Sequence, residues 1–483
     1  MTDRIYFLGI GGIGMSALAR WFKAEGAEVA GYDRTPTELT RALTEEGIPV
    51  DHSGSIAQLP ESLQKDLSTS HTKRWTLVWT PAIPPEFPLL KAFRVAGFSL
   101  LKRAEVLGSI SRNRPLLAVA GTHGKTTTSS LLTHLLDFGG MGVDGFLGGI
   151  ALGETTNLVV SHPKSEARWM VAEADEFDRS FLQLHPQKAV ITSVDPDHLD
   201  IYGTHLEMLA AFREFGQQVA ENGLLVHAEA WHTMMENGYG TSGATPEYYG
   251  TLQENETLEE KGWSAGYSHI GGSGGQATFT LHLRGETPME IKWRLPGAHN
   301  AANATAAAHL AVRAGLPPNA LPTALEAFPG VARRFEIKYQ SADHVVIDDY
   351  AHHPSEIAGT IAAARQLFPG RRITGVFQPH LFSRTRDFMQ DFAHSLSQLD
   401  TCILLPIYPA RETPIQGVDA QGIGEKMVGC PVECPPENRF LDVLEKQDPE
   451  VLLFMGAGDL NQWIEPAWSR LENRRNQPPI ETT

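Results

Sequence analysis

Pro115-Leu116-Leu117-Ala118-Val119-Ala120-Gly121-Thr122-His123-Gly124-Lys125-Thr126-Thr127 is the stretch on which the fold turns. Pro115 to Ala120 is apolar and predicts a buried strand, and Thr128 to Phe138 predicts a helix. A strand that passes through a glycine loop into a helix can cradle phosphate, because loop N–H groups and the positive helix end converge there. Lys125 would reach the β- and γ-phosphates of ATP, and the Thr126 hydroxyl would ligate Mg²⁺. Gly121, Thr122, His123, Gly124, Lys125, Thr126 and Thr127 are therefore the candidate ATP loop. The usual pattern has a further glycine five residues before its Gly-Lys pair; Val119 stands there in this chain.

Upstream, Ile5 to Ile10 is apolar and runs into Gly9-Ile10-Gly11-Gly12-Ile13-Gly14. Met15 to Ala24 reads as a helix, and Glu28 to Tyr32 as a strand ending at Asp33. This is G-x-G-x-x-G after a strand, with an acid at about the separation expected of a ribose ligand. Alone it suggests NAD, so a dehydrogenase with an extra nucleotide domain is a rival reading. That rival gives no use to the second loop and its Mg²⁺ donors. Leu77 to Thr80 reads as a later strand of the same sheet, and the polar stretch Ser62 to Arg74 as a surface connection.

Downstream, strands are expected at Arg168 to Ala172 and Lys188 to Val194, and an alanine-rich helix at Ala301 to Ala314. Thr241 to Arg294, with Gly271-Gly272-Ser273-Gly274-Gly275, reads as antiparallel strands and loops attached to the second domain. Strands at His344 to Ile347, Arg372 to Phe377, Thr401 to Leu405 and Val451 to Phe454 alternate with helices at Ser355 to Leu367 and Arg386 to Gln398. Such alternation implies open parallel sheets with crossover helices. The expected architecture is α/β in three domains, each on a mainly parallel open sheet: a Rossmann-like domain over 1–111, a P-loop ATPase-like domain over 112–330, and a second Rossmann-like domain over 331–472. A polar tail, expected to be disordered, covers 473–483. Ligands of open α/β sheets bind beyond the carboxyl ends of strands. The phosphate loop, Glu173, His198, Asp349 and the Gln378-Pro379-His380 turn all fall there.

The chain has 483 residues and a formal charge of −17, which argues against nonspecific nucleic-acid or anionic-membrane binding. Local basic groups and helix N-termini still allow small anionic substrates. Three cysteines, Cys402, Cys430 and Cys434, fit a reducing compartment. The last two are spaced loosely like metal ligands, but with no second pair a structural role is expected. No signal peptide is read at the N-terminus and no apolar run approaches the ~20 residues of a membrane span, so a cytoplasmic location without stable membrane insertion is expected. Oligomeric state, monomer or homodimer, stays open.

Gly121-Thr122-His123-Gly124-Lys125-Thr126-Thr127 resembles the shortened phosphate loop of the Mur ligase family. The same family is resembled, in order, by Glu173-Ala174-Asp175-Glu176, Asp195-Pro196-Asp197-His198-Leu199-Asp200, Gly297-Ala298-His299-Asn300-Ala301-Ala302-Asn303 and Arg333-Arg334-Phe335-Glu336. The resemblance runs from about residue 5 to 460. It implies an ATP-dependent ligase using Mg²⁺, with Mn²⁺ as a substitute, and a UDP-sugar on the first glycine turn. The third domain, with Asp348-Asp349-Tyr350-Ala351-His352-His353-Pro354 and Gln378-Pro379-His380-Leu381-Phe382-Ser383-Arg384-Thr385-Arg386, is similar to the branch that joins L-alanine to UDP-N-acetylmuramate. It is less like the branch that reattaches a recycled tripeptide to that sugar, which remains the alternative. A regulatory nucleotide sensor is a non-enzymatic rival, and it would not need His198 or Arg384.

The resemblance also implies residue roles. Lys125, Glu173, His198 and His352 would be catalytic, and Thr126, Glu173 and His198 would hold metal. Asn300 would lie near adenine and Asp349 near the ribose of ATP, with Asn303 and Arg334 also on the nucleotide. Gly9, Gly11, Gly12, Ile13, Gly14, Asp33, Thr80, Ala82 and Ser180 would bind the UDP-sugar. His123 either hydrogen-bonds within its loop or faces that sugar. Tyr350, His352, Arg384 and Arg386 would face the amino acid, the arginines offering fork-shaped donors to its carboxylate; Arg386 and Arg384 could instead be helix-surface residues. These third-domain roles need the last two domains to close on ATP.

Overall fold

A computed structural model describes residues 3–68, 74–160, 168–240, 246–273, 275–410 and 412–475. The chain divides into two compact units, one of residues 1–266, 281–288 and 303–325, the other of 267–280, 289–302 and 326–483.

Three sheets carry the fold. The first orders its five strands Val50–Asp51, Glu28–Tyr32, Arg4–Leu8, Thr76–Trp79, Leu100–Lys102, all parallel. Its central strand shows why: Ile5 and Phe7 enter one apolar cluster and Tyr6 and Leu8 another. A strand covered on both faces must be apolar at every position. The second sheet runs Met289–Trp293, Gln276–Leu283, Ala265–Ser273, Glu247–Thr251, Leu224–His227, Lys188–Ile191, Leu116–Ala120, Arg168–Ala174, Gly142–Phe146, Leu158–Val160. Leu116–Ala120, fully buried, lies parallel between Lys188–Ile191 and Arg168–Ala174. The third orders Glu336–Gln340, Val345–Asp349, Val451–Met455, Ile373–Phe377, Thr401–Leu404, Val432–Glu433 and is parallel except for its first strand. Here too alternation splits the strands: Val345 and Ile347 pack with the helix Pro354–Leu367, Val346 with the helices Phe440–Gln447 and Ile464–Arg475.

Some expectations are corrected. Ser62 to Arg74 is not merely a surface connection: Glu61–Ser68 is a helix that buries Leu63 and Asp66. Leu63 and Leu67 sit one turn apart against the core, and the buried Asp66 beside them is paired with Arg74; 69–73 lie outside the described residues. The helix expected from Arg386 to Gln398 is two, Phe382–Asp387 and Met389–Leu396, broken at Phe388. The tail expected from Asn473 begins inside the helix Ile464–Arg475, and the remainder lies outside the described residues, as does Gly274. All three cysteines are free thiols around the edge strand Val432–Glu433. No helix among the described residues is long and apolar enough to cross a membrane.

Candidate functional site

The first glycine turn follows from one backbone constraint. Gly9 sits at φ +88°, and both it and Ile10 donate to the Tyr32 carbonyl, at 2.7 and 3.0 Å. That folds the strand end onto its neighbour, and the helix Ile13–Ala24 starts at Gly12. Gly11 N–H donates to Asp33 Oδ2 at 2.8 Å, so the acid at the end of the second strand braces the turn with one oxygen. Thr80 closes the same turn, since a Cβ on Gly9 would lie 2.5 Å from its Cγ2. Ala82 is exposed two residues on, and Ser180 is half-buried in the short helix Phe177–Gln183. Sequence reasoning missed Arg103. A Cβ on Gly14 would lie 2.8 Å from Arg103 Nη1, and Arg103 Nη2 is 3.5 Å from Asp175 Oδ2. One guanidinium thus links the first glycine turn to the Glu173–Glu176 string.

The phosphate loop is built from the opposite side by the strand Lys188–Ile191. Thr192 Oγ1 donates to Ala120 O at 3.1 Å. Ser193 Oγ accepts from His123 N at 2.8 Å and lies 3.0 Å from Thr122 Oγ1. Gly121 at φ +134° and Gly124 at φ +82° make the bends; a Cβ on Gly124 would lie 2.4 Å from Asn303 Oδ1, which accepts from Thr128 Oγ1 at 3.2 Å. Val119 thus costs the loop nothing, because it stays inside a buried strand. His123 Nε2 lies 3.4 Å from Asp195 Oδ2.

Lys125 does not project freely. Its Nζ donates to Gly121 O at 2.6 Å and to both oxygens of Glu176, at 2.9 and 2.7 Å. Glu176 is fully buried. Its Oε1 also lies 3.5 Å from His198 Nε2. Burial disfavours charge on all three, but mutual attraction wins. Lys125 is held above the ordinary lysine value by Glu176, Asp175 and Glu173; Glu176 below the ordinary carboxylate value by Lys125 and His198; and His198 above the ordinary imidazole value by Glu176 and Asp197. Asp178 and Arg179, just past Glu176, and His198 itself take left-handed backbone angles, which are uncommon outside glycine.

Glu173 Oε1 accepts from Gly148 N at 2.6 Å and from Ser129 Oγ at 3.2 Å. Its carboxylate therefore sits beside the first turn of the helix that carries Thr126 and Thr127, both buried. Thr126 and Glu173 supply oxygen, the donor a hard divalent cation takes, so this pair fits Mg²⁺. His198 supplies nitrogen and is already engaged by Glu176.

In the other unit, the strand Val345–Asp349 ends in a second cluster. Asp349 accepts from Phe335 N at 2.7 Å and Ala351 N at 2.8 Å. Burial pushes its carboxyl up to about 6 against the pull of Arg334 and those amides. Arg333 and Arg334 stand over the Tyr350 ring, at 4.9 and 5.3 Å. His352 Nδ1 lies 2.9 Å from Tyr350 O and 3.4 Å from Glu356 Oε2, and its ring is 6.3 Å from that of His380. Burial and then Arg384 push His380 down to about 4. Arg384 thus joins the His380 group, whereas Arg386 is largely exposed and pairs with Asp387 at 2.7 Å. Asn300, buried, donates to Pro296 O at 2.8 Å. His299 beside it is pushed down to about 4 by burial, next to Gly297 and Gly359.

Two glycine turns, each at the carboxyl end of parallel strands and each opening a helix, define an α/β nucleotide-binding protein. Three family descriptions match consecutive parts: Mur ligase family, catalytic domain, at residues 4–115; Mur ligase middle domain at 119–311; and Mur ligase, glutamate ligase domain, at 333–458. The chain is 42% identical over 460 residues to a UDP-N-acetylmuramate–L-alanine ligase of Christiangramia forsetii, covering 95% of this chain and 96% of that one. It is 41% identical over 470 residues to the ligase of the same name from Porphyromonas gingivalis W83, covering 97% and 99%. Its fold is similar to the crystal structure of the UDP-N-acetylmuramate–alanine ligase of Thermotoga maritima, with a TM-score of 0.76 and 26% identity over 98% of this chain and 99% of that one. A murein peptide ligase from Psychrobacter arcticus shares the fold at TM-score 0.65 and 20% identity, covering 98% and 99%. The chain belongs to the Mur ligase family.

Proposed function

We propose that this chain is a UDP-N-acetylmuramate–L-alanine ligase of peptidoglycan precursor synthesis, consuming ATP and acting in the cytoplasm. The observation that carries the reading is two separate glycine turns in one unit, the second with a half-buried, ion-paired lysine and an oxygen donor pair, in a chain whose 41–42% identical relatives bear that name over nearly their full length. A dehydrogenase has no use for the second turn. The proposed domains are 1–111 for the UDP-sugar, 112–330 for ATP and 331–472 for the amino acid.

A carboxylate is a poor acyl electrophile. One oxygen of the sugar's carboxylate attacks the γ-phosphorus of ATP, ADP departs, and an acyl phosphate forms. The alanine amine then attacks the acyl carbon, loses a proton, and phosphate leaves from the tetrahedral species to give the amide. Lys125 holds positive charge beside the moving phosphoryl group. The first glycine turn, Gly9 to Gly14, receives the sugar's pyrophosphate; with Gly11 N–H on Asp33 and Gly12 N–H on Gly9 O, the N–H groups of Ile13 and Gly14 at the helix start are the donors to it. Thr126 and Glu173 would hold Mg²⁺, which when bound neutralises phosphate charge. Asn300, Asn303, Arg334 and Asp349 contact ATP; Tyr350, His352 and Arg384 orient alanine.

The test is ADP formation by purified protein with UDP-N-acetylmuramate, ATP–Mg²⁺ and, separately, L-alanine, glycine, L-serine or the murein tripeptide. Turnover should require all three substrates and favour L-alanine. Preference for the tripeptide would replace this reading with the recycling ligase, and fast ATP hydrolysis without the sugar would remove the ligase assignment.

A further inference from the structure

The geometry points to Glu176 as a positioning residue that fixes Lys125 and His198 in one arrangement for phosphoryl transfer. This rests on the ligase reading above but goes beyond it, since none of the catalytic or binding roles given there falls to Glu176. Its side chain has no solvent exposure, and its two oxygens take Lys125 Nζ at 2.9 and 2.7 Å. Oε1 faces His198 Nε2 at 3.5 Å. Both partners come from elsewhere in the sequence: Lys125 opens the helix after the phosphate loop, and His198 caps the helix Leu199–Tyr202.

The backbone that presents this carboxylate, and the His198 ring beside it, are themselves held. The Tyr202 hydroxyl donates to Glu176 O at 2.6 Å, Phe177 packs edge-on to the His198 ring at 5.4 Å, and Arg179 N donates to Glu176 O at 2.9 Å. The left-handed residues at 178, 179 and 198 flank this contact. Backbone in such regions persists only where its surroundings over-determine it. The buried Glu176 carboxylate also needs a counter-charge, but a counter-charge alone would not need three elements locked around it. Because Glu176 is negative and sits beside a site for a polyanion, it opposes ATP binding in the ground state. Its benefit must therefore lie in orientation, and orientation appears in turnover rather than affinity.

That argument separates positioning from a purely structural role. In Glu176→Gln, kcat should fall by about a hundredfold, while the KM for ATP and the calorimetric Kd of ATP–Mg²⁺ stay level or fall, and the KM for the UDP-sugar stays within about twofold. Glu176→Asp keeps the charge one methylene short and should recover kcat to within about tenfold of wild type. Measurements are made well below each variant's own unfolding midpoint, read by urea titration, so that only folded protein is compared. The proposal is overturned by an unchanged kcat in folded Glu176→Gln, or by a loss that appears as a raised ATP KM and Kd with kcat intact. If the wild type makes no ADP with the sugar and alanine, the ligase reading fails instead, and the ATP–Mg²⁺ titrations still decide: weaker binding in Glu176→Gln overturns the positioning role, and equal or tighter binding supports it.

Discussion

Replacing Gly124 by alanine should weaken ATP–Mg²⁺ binding by roughly ten- to three-hundredfold. Two terms make up that figure. Gly124 sits at φ +82°, and an L-residue held in the left-handed region costs roughly 1–2 kcal/mol. The new Cβ would also lie 2.4 Å from Asn303 Oδ1. Asn303 is only 6% exposed, so it has little room to swing aside. Moving it breaks the bond that Oδ1 accepts from Thr128 Oγ1 at 3.2 Å, a loss of roughly 0.5–1.5 kcal/mol. The sum is about 1.5–3.5 kcal/mol. A loop that relaxes away from this strain must return to it when phosphate binds, at about 1.4 kcal/mol per tenfold in affinity. Calorimetry on four proteins isolates the second term: wild type, Gly124→Ala, Asn303→Ala and the double variant. Asn303→Ala removes the atom in the way, so adding Gly124→Ala to it should cost only the backbone share. The double variant should then bind about 1 kcal/mol better than the two single losses predict. Strictly additive losses would refute the contact as the cause, and a Gly124→Ala protein with wild-type affinity would refute the whole account.

Gly11→Val would put a side chain where a Cβ already lies 2.8 Å from both Asp33 Oδ2 and Thr40 Cγ2; calorimetry should show UDP-sugar binding lost and ATP binding kept. Lys125→Ala should do the converse, leaving UDP-sugar affinity near wild type with no measurable ADP formation; loss of both ligands in either folded variant would contradict two separate sites. Arg384→Lys keeps the charge beside His380 but loses the fork, so steady-state kinetics should show the KM for L-alanine raised about tenfold or more and that for ATP unchanged. Glu247 is held down at about 2 because, against burial, His309 at 2.9 Å, Ser264 and Arg313 favour its charge. A depressed carboxyl stabilises the fold above its unfolded value near 4.5 and loses that contribution as pH falls toward 2. The full gap is worth roughly 3 kcal/mol, which partial exposure reduces to roughly 1–2. Urea midpoints should therefore fall between pH 5 and 3 in wild type and fall less in Glu247→Gln.

The sheets were legible because their strands are buried on both faces. Leu116 to Ala120 and Val451 to Met455 have no polar residue to confuse the reading, and each is followed by glycine at a bend. Short edge elements such as Val50–Asp51 carry no such signal. Glu61–Ser68 was obscured because one amphipathic helix with two leucines inward looks polar when averaged. At the site, spacing located the two glycine turns but not what their neighbours do. Glu173, Asp175 and Glu176 are three carboxylates in one string. The strand Arg168–Ala174 sets Glu173 beside Ser129, while Asp175 and Glu176, past its end and just before the left-handed Asp178 and Arg179, face Arg103 and Lys125. No local pattern encodes that division, since it depends on Arg103, Ser129 and Lys125 arriving from other elements.

A chain with a formal charge of −17 is an unexpected vessel for two polyanionic nucleotides. The cations at the candidate sites resolve the difficulty by being few and individually held. Lys125 faces Glu176 at 2.7 Å, Arg103 faces Asp175 at 3.5 Å, Arg333 faces Asp348 at 3.7 Å and Arg334 faces Glu356 at 4.0 Å. Distant surface carboxylates matter little, because physiological salt screens charge beyond roughly 8 Å. Within that range, each cation and its carboxylate nearly cancel. What distinguishes phosphate from other anions is then the neutral part of the site, the N–H groups at the two glycine turns, whose dipoles need no counter-charge and bring none. Affinity built this way is set by backbone shape more than by net charge, which is why the residues that control it are glycines at φ +82°, +88° and +134° rather than a basic surface.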